Sequence, residues 1–268
     1  MQQKWQEHGV THEFVSTMLS PETSNTFAVM ATVTSVALAI YAFKLQKELA
    51  QATLGSKKTV KMTTKTSVRN SSGDKLWTAE ELIAERRSIF PLDYDLNRSV
   101  PRDVLEKMLE SANWAPTHAR TEPWRFVIFE APEKRLELGQ LLANVYKSMV
   151  PEDKFLQKKY EKIVFNCTAS SYAIAICMKR QKSGKIPEWE EMCSVACAVQ
   201  NMHLTATAHG VGAYWSSGPP ILSQPMKDHL KLGEDDKCLG LFYVGCPKDG
   251  ANLPKGARKP IQEKITWV

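Results

Sequence analysis

Residues 76–268 are predicted to fold as an α+β domain with a central mixed β-sheet flanked by helices. Three short apolar runs, at residues 125–130, 168–181 and 238–247, predict buried strands. Segments with helical hydrophobic periodicity separate these runs. This mixture of elements is typical of a small sheet that is covered by helices on both sides.

The first predicted elements of this domain are two helices. Residues 78–89 begin with Thr78, a favourable N-cap, and Glu81 follows three residues later, as a capping box requires. Pro101 marks the first turn of the second helix. The apolar stripe of that helix is Val104, Leu105, Met108, Leu109 and Ala112.

The later elements are predicted from the same signals. The remaining predicted helices are residues 132–149, 152–167, 186–210 and 223–233. Gly210 and Gly233 are expected to end two of them, because glycine is favoured just after a helix. Residues 212–218 predict a short strand or turn, and Pro247 is expected to stop the last strand.

The N-terminal part of the chain differs in composition from the rest. Residues 26–43 carry no charge, and a helix of that length rises about 27 Å, close to a hydrocarbon core of roughly 30 Å. The sequence therefore predicts a tail (1–25), a transmembrane helix (26–43) and a flexible basic linker (44–75) ahead of the folded domain (76–268). A buried helix of a soluble protein is the alternative for the span. The positive linker places the folded domain on the cytoplasmic side of the expected membrane.

Composition and absent motifs exclude several functions. The net charge of +6 is concentrated in residues 44–75, so the folded domain is close to neutral, which argues against a nucleic-acid-binding surface. The sequence contains no GxGxxG fingerprint, P-loop, GxSxG elbow or HExxH motif. No run of His and Cys has zinc spacing, and no metal site is predicted.

Two cationic clusters lie at opposite ends of the folded domain and suit a phosphate. Their members are Arg86, Arg87, Ser88, Lys255, Arg258 and Lys259. Guanidinium groups offer paired donors for phosphate oxygens, and a hydroxyl adds a further contact. The alternative is that both clusters are solvated surface charge.

Aromatic and small residues offer contacts for a flat ring. Trp114 and His118 lie in the segment WAPTHARTEPWRF (114–126), which holds more aromatic and cationic side chains than a simple connection needs. The turn GAYWSSGP (212–219) adds backbone N–H groups and hydroxyls. The alternatives are tryptophans that pack in the core and a loop histidine with a local partner.

Four motifs together resemble the nitroreductase family of flavin-dependent oxidoreductases. AERRSI, ANWAPTHARTEPWRFVIFE, GAYWSSGP and ARKPIQEKI occur in the order and at the spacing of that family, over about residues 78–268. The sequence resembles its YdjA-like branch most. The resemblance implies a nitroreductase-like α+β fold, a domain-interlocked homodimer, and FMN in two sites at the subunit interface.

The resemblance also implies a set of FMN-binding residues. They are Arg86, Arg87, Ser88, Trp114, His118, Trp215, Ser216, Ser217 and Arg258. The arginines and Ser88 would hold the phosphate and ribityl chain, Trp114 and His118 would reach the FMN of the neighbouring subunit, and the other three would line the isoalloxazine. One departure is Gly256, where some relatives carry a second cation; Lys255 or Lys259 is expected to stand in. No separate catalytic residue is implied, because the flavin carries the chemistry.

The resemblance implies an FMN-dependent enzyme that passes hydride from NAD(P)H to a small electron-poor acceptor, such as a nitroaromatic or a quinone, by a ping-pong mechanism. A first alternative is a reductive dehalogenase similar to iodotyrosine deiodinase, which the TEPW tetrad and the expected anchor also resemble. That family has a Glu four residues before a lid Tyr, whereas Leu142 precedes Tyr146 and Leu156 precedes Tyr160 at this offset. A second alternative is a membrane-tethered flavin-binding scaffold without turnover.

Overall fold

Helices and strands are interspersed along the region that forms the predicted domain. The computed structural model describes Lys44, residues 76–251 and residues 256–268. In chain order, the elements are α1 (Ala79–Glu85), α2 (Arg102–Asn113), β1 (Trp124–Phe129), α3 (Pro132–Met149), α4 (Gln157–Thr168), β2 (Tyr172–Met178), α5 (Glu188–Ala208), β3 (Gly212–Ser216), α6 (Gln224–His229) and β4 (Lys237–Gly245). Short 3₁₀ turns lie at Pro91–Asp93, His118–Arg120, Glu152–Lys154 and Ile261–Lys264.

The four strands form one sheet in the order β1-β2-β4-β3, and each neighbouring pair is antiparallel. The prediction of a mixed sheet is therefore wrong for these strands. Two helices connect β1 to β2 and reverse the direction of the chain, while β4 lies between β2 and β3. Outside these four strands, the described residues show one parallel pairing, an isolated bridge between Ser88 and Ala213.

Each face of the sheet packs against a pair of helices. On β2, Ile174 and Ile176 point into the core beneath α2 and α5, whereas Ala173 and Ala175 point towards α3 and α4. All seven residues of β2 are buried, as a central strand with helices on both faces requires. The runs at 168–181 and 238–247 are thus confirmed as buried strands in the middle of the sheet. The prediction of a buried strand is wrong for the run at 125–130, because β1 lies at an edge of the sheet and is only partly buried.

The first helix is shorter than the predicted segment 78–89. Its capping box is confirmed, because Thr78 Oγ1 accepts from the Glu81 N–H (3.2 Å) and a Glu81 carboxylate oxygen accepts from the Thr78 N–H (3.0 Å). The helix ends at Glu85, and Arg86 already has an extended ψ of 124°. Pairing of the following residues with the sheet is stronger than the local preference to continue the helix.

The predicted N-terminal elements lie outside the described residues. Among the helices that the structure describes, none combines the length and the apolar character that a membrane span requires. Residues 1–25 and 26–43, and the linker 44–75 apart from Lys44, are not described. The transmembrane helix and the domain boundaries therefore stay predictions.

Candidate functional site

The segment that follows α1 is fixed against the edge of the sheet. Ser88 forms a parallel bridge with Ala213 on β3, and the Ile89 N–H donates to the Ala213 carbonyl at 3.0 Å. This pairing leaves Arg86 and Arg87 on an extended stretch rather than on a helix. Their side chains are half-buried, so both remain accessible to a ligand.

A buried histidine from α5 supports the same segment from beneath. His203 is 6% exposed, and its Nε2–H donates to the Arg87 carbonyl at 2.9 Å. Its ring packs edge-on against Phe242, with ring centroids 5.3 Å apart. Burial, followed by the charge of Arg86, lowers the pKa of His203 to about 4. The imidazole is therefore neutral at physiological pH and can donate from only one nitrogen.

Sequence reasoning did not single out His203. The signal was one polar residue within the apolar stripe of a long helix, between Val199, Met202 and Ala206. Such a histidine is more often a satisfied core residue than a ligand. Its link to Arg87 depends on how α5 packs against the segment after α1, which no local pattern reports.

Three guanidinium groups come together at this end of the sheet. Burial, followed by the charges of Arg258 and Arg87, lowers the pKa of Arg86. Within the described residues, none of the three arginines forms an ion pair with a carboxylate. The recorded hydrogen bonds of Arg87 and Arg258 go to nearby backbone carbonyls. Like charges gathered without a counter-ion are unfavourable, so this cluster suits a multivalent anion.

Gly256, in the C-terminal tail, lies directly against the Arg87 guanidinium. A Cβ placed on Gly256 would collide with the guanidinium of Arg87. Arg87 thus fills the space beside the tail that a side chain at position 256 would occupy. Lys255 or Lys259 is expected to supply the second cation in place of Gly256. Lys259 is exposed, and Lys255 lies outside the described residues, so this expectation stays a prediction.

The turn after β3 lies farther along the same edge of the sheet. Trp215 is half-buried and donates from Nε1 to the Leu239 carbonyl at 3.1 Å. Gly240 has a φ of 149°, and a Cβ there would collide with the indole, so only glycine allows this packing. Ser216 is the last residue of β3, and Ser217 is exposed.

The arginine cluster and this turn lie near opposite ends of the edge strand β3, and we call this part of the protein the β3 edge. Ala213, which pairs with Ser88, lies three residues before Ser216 on β3. Strand geometry separates those two positions by roughly 10 Å. The structure thus aligns seven of the predicted site residues along the edge strand, with cations at one end and an aromatic, hydroxyl-rich turn at the other.

Trp114 and His118 lie in a different part of the chain surface. Trp114 is 81% exposed and donates to Glu110 Oε1 at 3.0 Å, while His118 Nδ1 lies 2.6 Å from Glu190 Oε2. In the described part of the chain, no recorded hydrogen bond or ring contact joins either residue to the arginine cluster or to Trp215. The expectation that Trp114 and His118 contact the FMN of a neighbouring subunit stays a prediction.

The second half of the segment 114–126 has a structural role, as the sequence predicts. Pro123 and Trp124 are buried, and Trp124 begins β1 with its Nε1–H donating to Asn113 Oδ1 at 3.3 Å. Ala119 and Arg120, like Glu122, have positive φ angles of 43–54°, which residues other than glycine rarely adopt. Backbone strain of this kind is concentrated at functional sites.

A cavity opens next to the turn after β3. We call it the α3–α4 cavity, because those helices form one wall and residues 214–221 form much of the other. Its volume is about 510 Å³, within the range of small-molecule sites. Ser216 and Gly218 line it, so the cavity adjoins the C-terminal end of the β3 edge.

Comparison with known proteins identifies the family. A family model described as "Nitroreductase family" matches residues 83–246. The chain belongs to the nitroreductase family. The resemblance drawn from the four motifs is therefore confirmed, and with it the assignment as an oxidoreductase.

Relatives of this family member span most of the folded region. YdjA of Escherichia coli (strain K12), whose name assigns it to the NAD(P)H nitroreductases, is 29% identical over 170 residues, which are 63% of this chain and 88% of YdjA. Iodotyrosine deiodinase 1 of Sus scrofa is 25% identical over 202 residues, or 70% of this chain and 68% of that protein.

Solved structures confirm the fold. The nitroreductase-like family protein from Bacillus cereus superposes with a TM-score of 0.61 at 25% identity and covers 72% of this chain and 97% of its own. A nitroreductase with bound FMN from Bacteroides fragilis gives a TM-score of 0.58 at 24% identity, over 72% of this chain and all of its own. The predicted nitroreductase-like α+β fold is thus confirmed.

Proposed function

We propose that this protein is an FMN-dependent NAD(P)H oxidoreductase that reduces nitroaromatic, quinone or similar electron-poor acceptors. The observation that supports this most is the cluster of Arg86, Arg87 and Arg258, which has no carboxylate partner within the described residues and lies on the same strand edge as the turn at 215–217. Among the similar proteins, the Bacteroides fragilis nitroreductase has bound FMN, and the name of YdjA describes it as an NAD(P)H nitroreductase.

The residues on this edge fit FMN in charge and in order. The three guanidinium groups suit a phosphate dianion, and the Gly256 backbone leaves room for Arg87 beside the tail. The turn at 215–217 offers an aromatic side chain, hydroxyls and backbone groups for a ring system. When bound, FMN supplies the hydride chemistry that links a nicotinamide to an electron-poor acceptor.

The chain's own part in this function is to bind and orient. Neutral His203 holds the Arg87 carbonyl without adding a fourth positive charge to the cluster. Gly240 and the Leu239 carbonyl fix the indole of Trp215. These contacts hold Arg87 and Trp215, at the two ends of the β3 edge, in place before a ligand binds. Such preorganisation reduces the entropic cost of binding.

The proposal includes a homodimer. Trp114 is 81% exposed and Trp267, in the C-terminal tail, is 88% exposed. Tryptophans with so large an exposed fraction are typical of residues that become buried in an interface. Attachment to a membrane through residues 26–43, with the folded domain on the cytoplasmic side, also stays part of the proposal, and it rests on the sequence alone.

The relatives named iodotyrosine deiodinase keep a dehalogenase as a second candidate. The α3–α4 cavity argues against it, because within the described residues no Asp or Glu lines this space. Leu142, which stands four residues before Tyr146, is completely buried there and offers no carboxylate for an ammonium group. To test this second candidate directly, a halotyrosine is assayed as an acceptor beside the nitroaromatics and quinones.

The test is FMN binding and reduction by the full-length chain. We expect a yellow protein, and we expect Arg86→Ala and Arg258→Ala each to weaken FMN affinity by about tenfold to 150-fold, from the loss of about 1.5–3 kcal/mol per charged contact. Arg102→Ala is the matched control, because Arg102 is exposed and pairs with Glu106 and Glu130 instead.

Turnover separates an enzyme from a flavin-binding scaffold. NADPH should reduce the bound flavin rapidly without oxygen, and steady-state plots against nitroaromatic acceptor should give the parallel lines of a ping-pong mechanism. A colourless protein that does not take up FMN would contradict the proposal. A yellow protein that NADPH does not reduce would favour the scaffold.

A further inference from the structure

The α3–α4 cavity has an unusual balance of side chains. Two lysines of α4, Lys159 and Lys162, line it together with Asn166 from the same helix. Within the described residues no Asp or Glu belongs to its lining. A space that presents cationic and neutral donors but no carboxylate disfavours a cationic or zwitterionic ligand and favours an anion.

The two lysines are available for such an anion. Neither forms a salt bridge within the part of the chain that the structure describes. Lys159 Nζ lies 4.6 Å from the centroid of the Tyr146 ring, and Tyr146 also lines the cavity. Glu161, the acidic neighbour on the same helix, accepts a hydrogen bond from Gln157 and does not line the cavity.

A further donor lies next to Lys159. Tyr146 is 3% exposed, and its hydroxyl oxygen accepts a hydrogen bond from the Leu156 N–H at 3.1 Å. The hydroxyl hydrogen remains free to donate, because that bond uses only a lone pair. An ammonium group and a phenol are both donors from which a carboxylate can accept a hydrogen bond.

The opposite wall fits a flat ring. Tyr214 and Tyr243 stack with centroids 6.3 Å apart and planes 17° apart. Both line the cavity, and the buried apolar side chain of Ile221 lies on the same wall. Aromatic rings prefer such surfaces, and the volume of about 510 Å³ exceeds that of a single substituted ring.

We propose that the α3–α4 cavity selects an acceptor that is a planar aromatic carboxylate, with the carboxylate at Lys159 and Lys162 and the ring against Tyr214. The inference rests on the proposed function, because Ser216, which belongs to the turn assigned to the flavin ring, also lines this cavity. An aromatic acid in the cavity lies beside that turn, with its electron-poor substituent on the side away from the lysines.

The first experiment measures binding without turnover. Calorimetry with the full-length chain compares benzoate with the uncharged benzamide, neither of which NADPH reduces. Benzoate should bind at least about tenfold more tightly, and Lys159→Met or Lys162→Met should remove most of this preference. Lys158→Met is the matched control, because Lys158 is exposed on the same helix, as Lys159 and Lys162 are, but does not line the cavity. Lys159→Arg should keep the preference, since it keeps the charge.

The second experiment measures selectivity in turnover. With 4-nitrobenzoate and 4-nitrobenzamide, the first reduction consumes one NADPH and one proton, converts the nitro group to a nitroso group and releases water. Lys159→Met should raise KM for the acid about tenfold more than KM for the amide. Both acceptors reduced equally well, with no preference for benzoate over benzamide, would overturn the inference. Preference for benzoate with neither acceptor reduced would support the anion site and contradict the proposed function.

Discussion

The buried histidine beneath the arginine cluster should make the protein sensitive to mild acid. His203 has a folded-state pKa of about 4, against an ordinary value of 6.5, because it is buried and faces the charge of Arg86. As the pH falls below 6.5, the unfolded chain binds a proton that the folded protein does not bind until about pH 4. The contribution to stability is therefore complete above pH 6.5 and is lost between pH 6.5 and 4.

The size of the loss follows from the same difference. At 1.36 kcal/mol for each pKa unit, a lowering from 6.5 to about 4 corresponds to about 3 kcal/mol. The side chain is 6% exposed, so solvent screening reduces this figure little. A loss of that size is a large part of the 5–15 kcal/mol that is usual for a folded domain.

The perturbation is His203→Gln, which keeps an N–H donor for the Arg87 carbonyl but does not titrate. Urea unfolding followed by tryptophan fluorescence would be measured at pH 7.5, 6.5, 5.5 and 4.5 for both proteins. The stability advantage of the wild type over the variant should shrink by about 2.5 kcal/mol across this range, which stops just above the folded-state pKa. His209→Gln is the control, because His209 is exposed just after the same helix. A difference between wild type and His203→Gln that does not change with pH would refute the reasoning.

Three further predictions follow from single contacts. Gly256→Ala should displace the Arg87 guanidinium and weaken FMN binding several-fold, with no change in the urea midpoint, because position 256 is exposed; an unchanged FMN titration would contradict the assigned contact. Glu191→Ala should lower the free energy of unfolding by about 3–5 kcal/mol, since Glu191 is 1% exposed and its removal leaves the partly buried guanidinium of Arg180 without a carboxylate partner. Glu188→Ala is the control: it breaks a surface pair and should cost far less, so equal losses in the two variants would contradict the prediction. His118→Ala should reduce FMN retention without unfolding the chain, because its side chain is 57% exposed; a collapse of the fold on circular dichroism would instead assign it a structural role.

The elements of this protein were predictable because their signals are local. A strand such as 172–178 is a continuous apolar run, and the helix over 132–149 has the composition and length of a helix that packs on a sheet. The capping box at Thr78 and Glu81 depends on residues three apart, and the structure confirms it. The family resemblance also depends on local motifs in order, and it is confirmed over residues 83–246.

Some candidate site residues could be named for the same reason, but their arrangement could not. Arg86 and Arg258 stand out as cations in short motifs, and only the folded chain brings them near one another. The role of Gly256 was hidden, because a missing side chain has no pattern of its own until Arg87 fills its place. His203 was hidden by the apolar stripe around it.

The sequence by itself determined where most of the helices and strands lie, which residues they bury, and which family the chain resembles. The tertiary structure alone decided that the sheet is antiparallel, that α1 stops at Glu85, and that two lysines of α4 share a cavity with Tyr214. The physical reason is range. Periodicity and capping act over a few residues, whereas strand order, charge clustering and cavity walls depend on contacts between parts of the chain that are far apart in sequence.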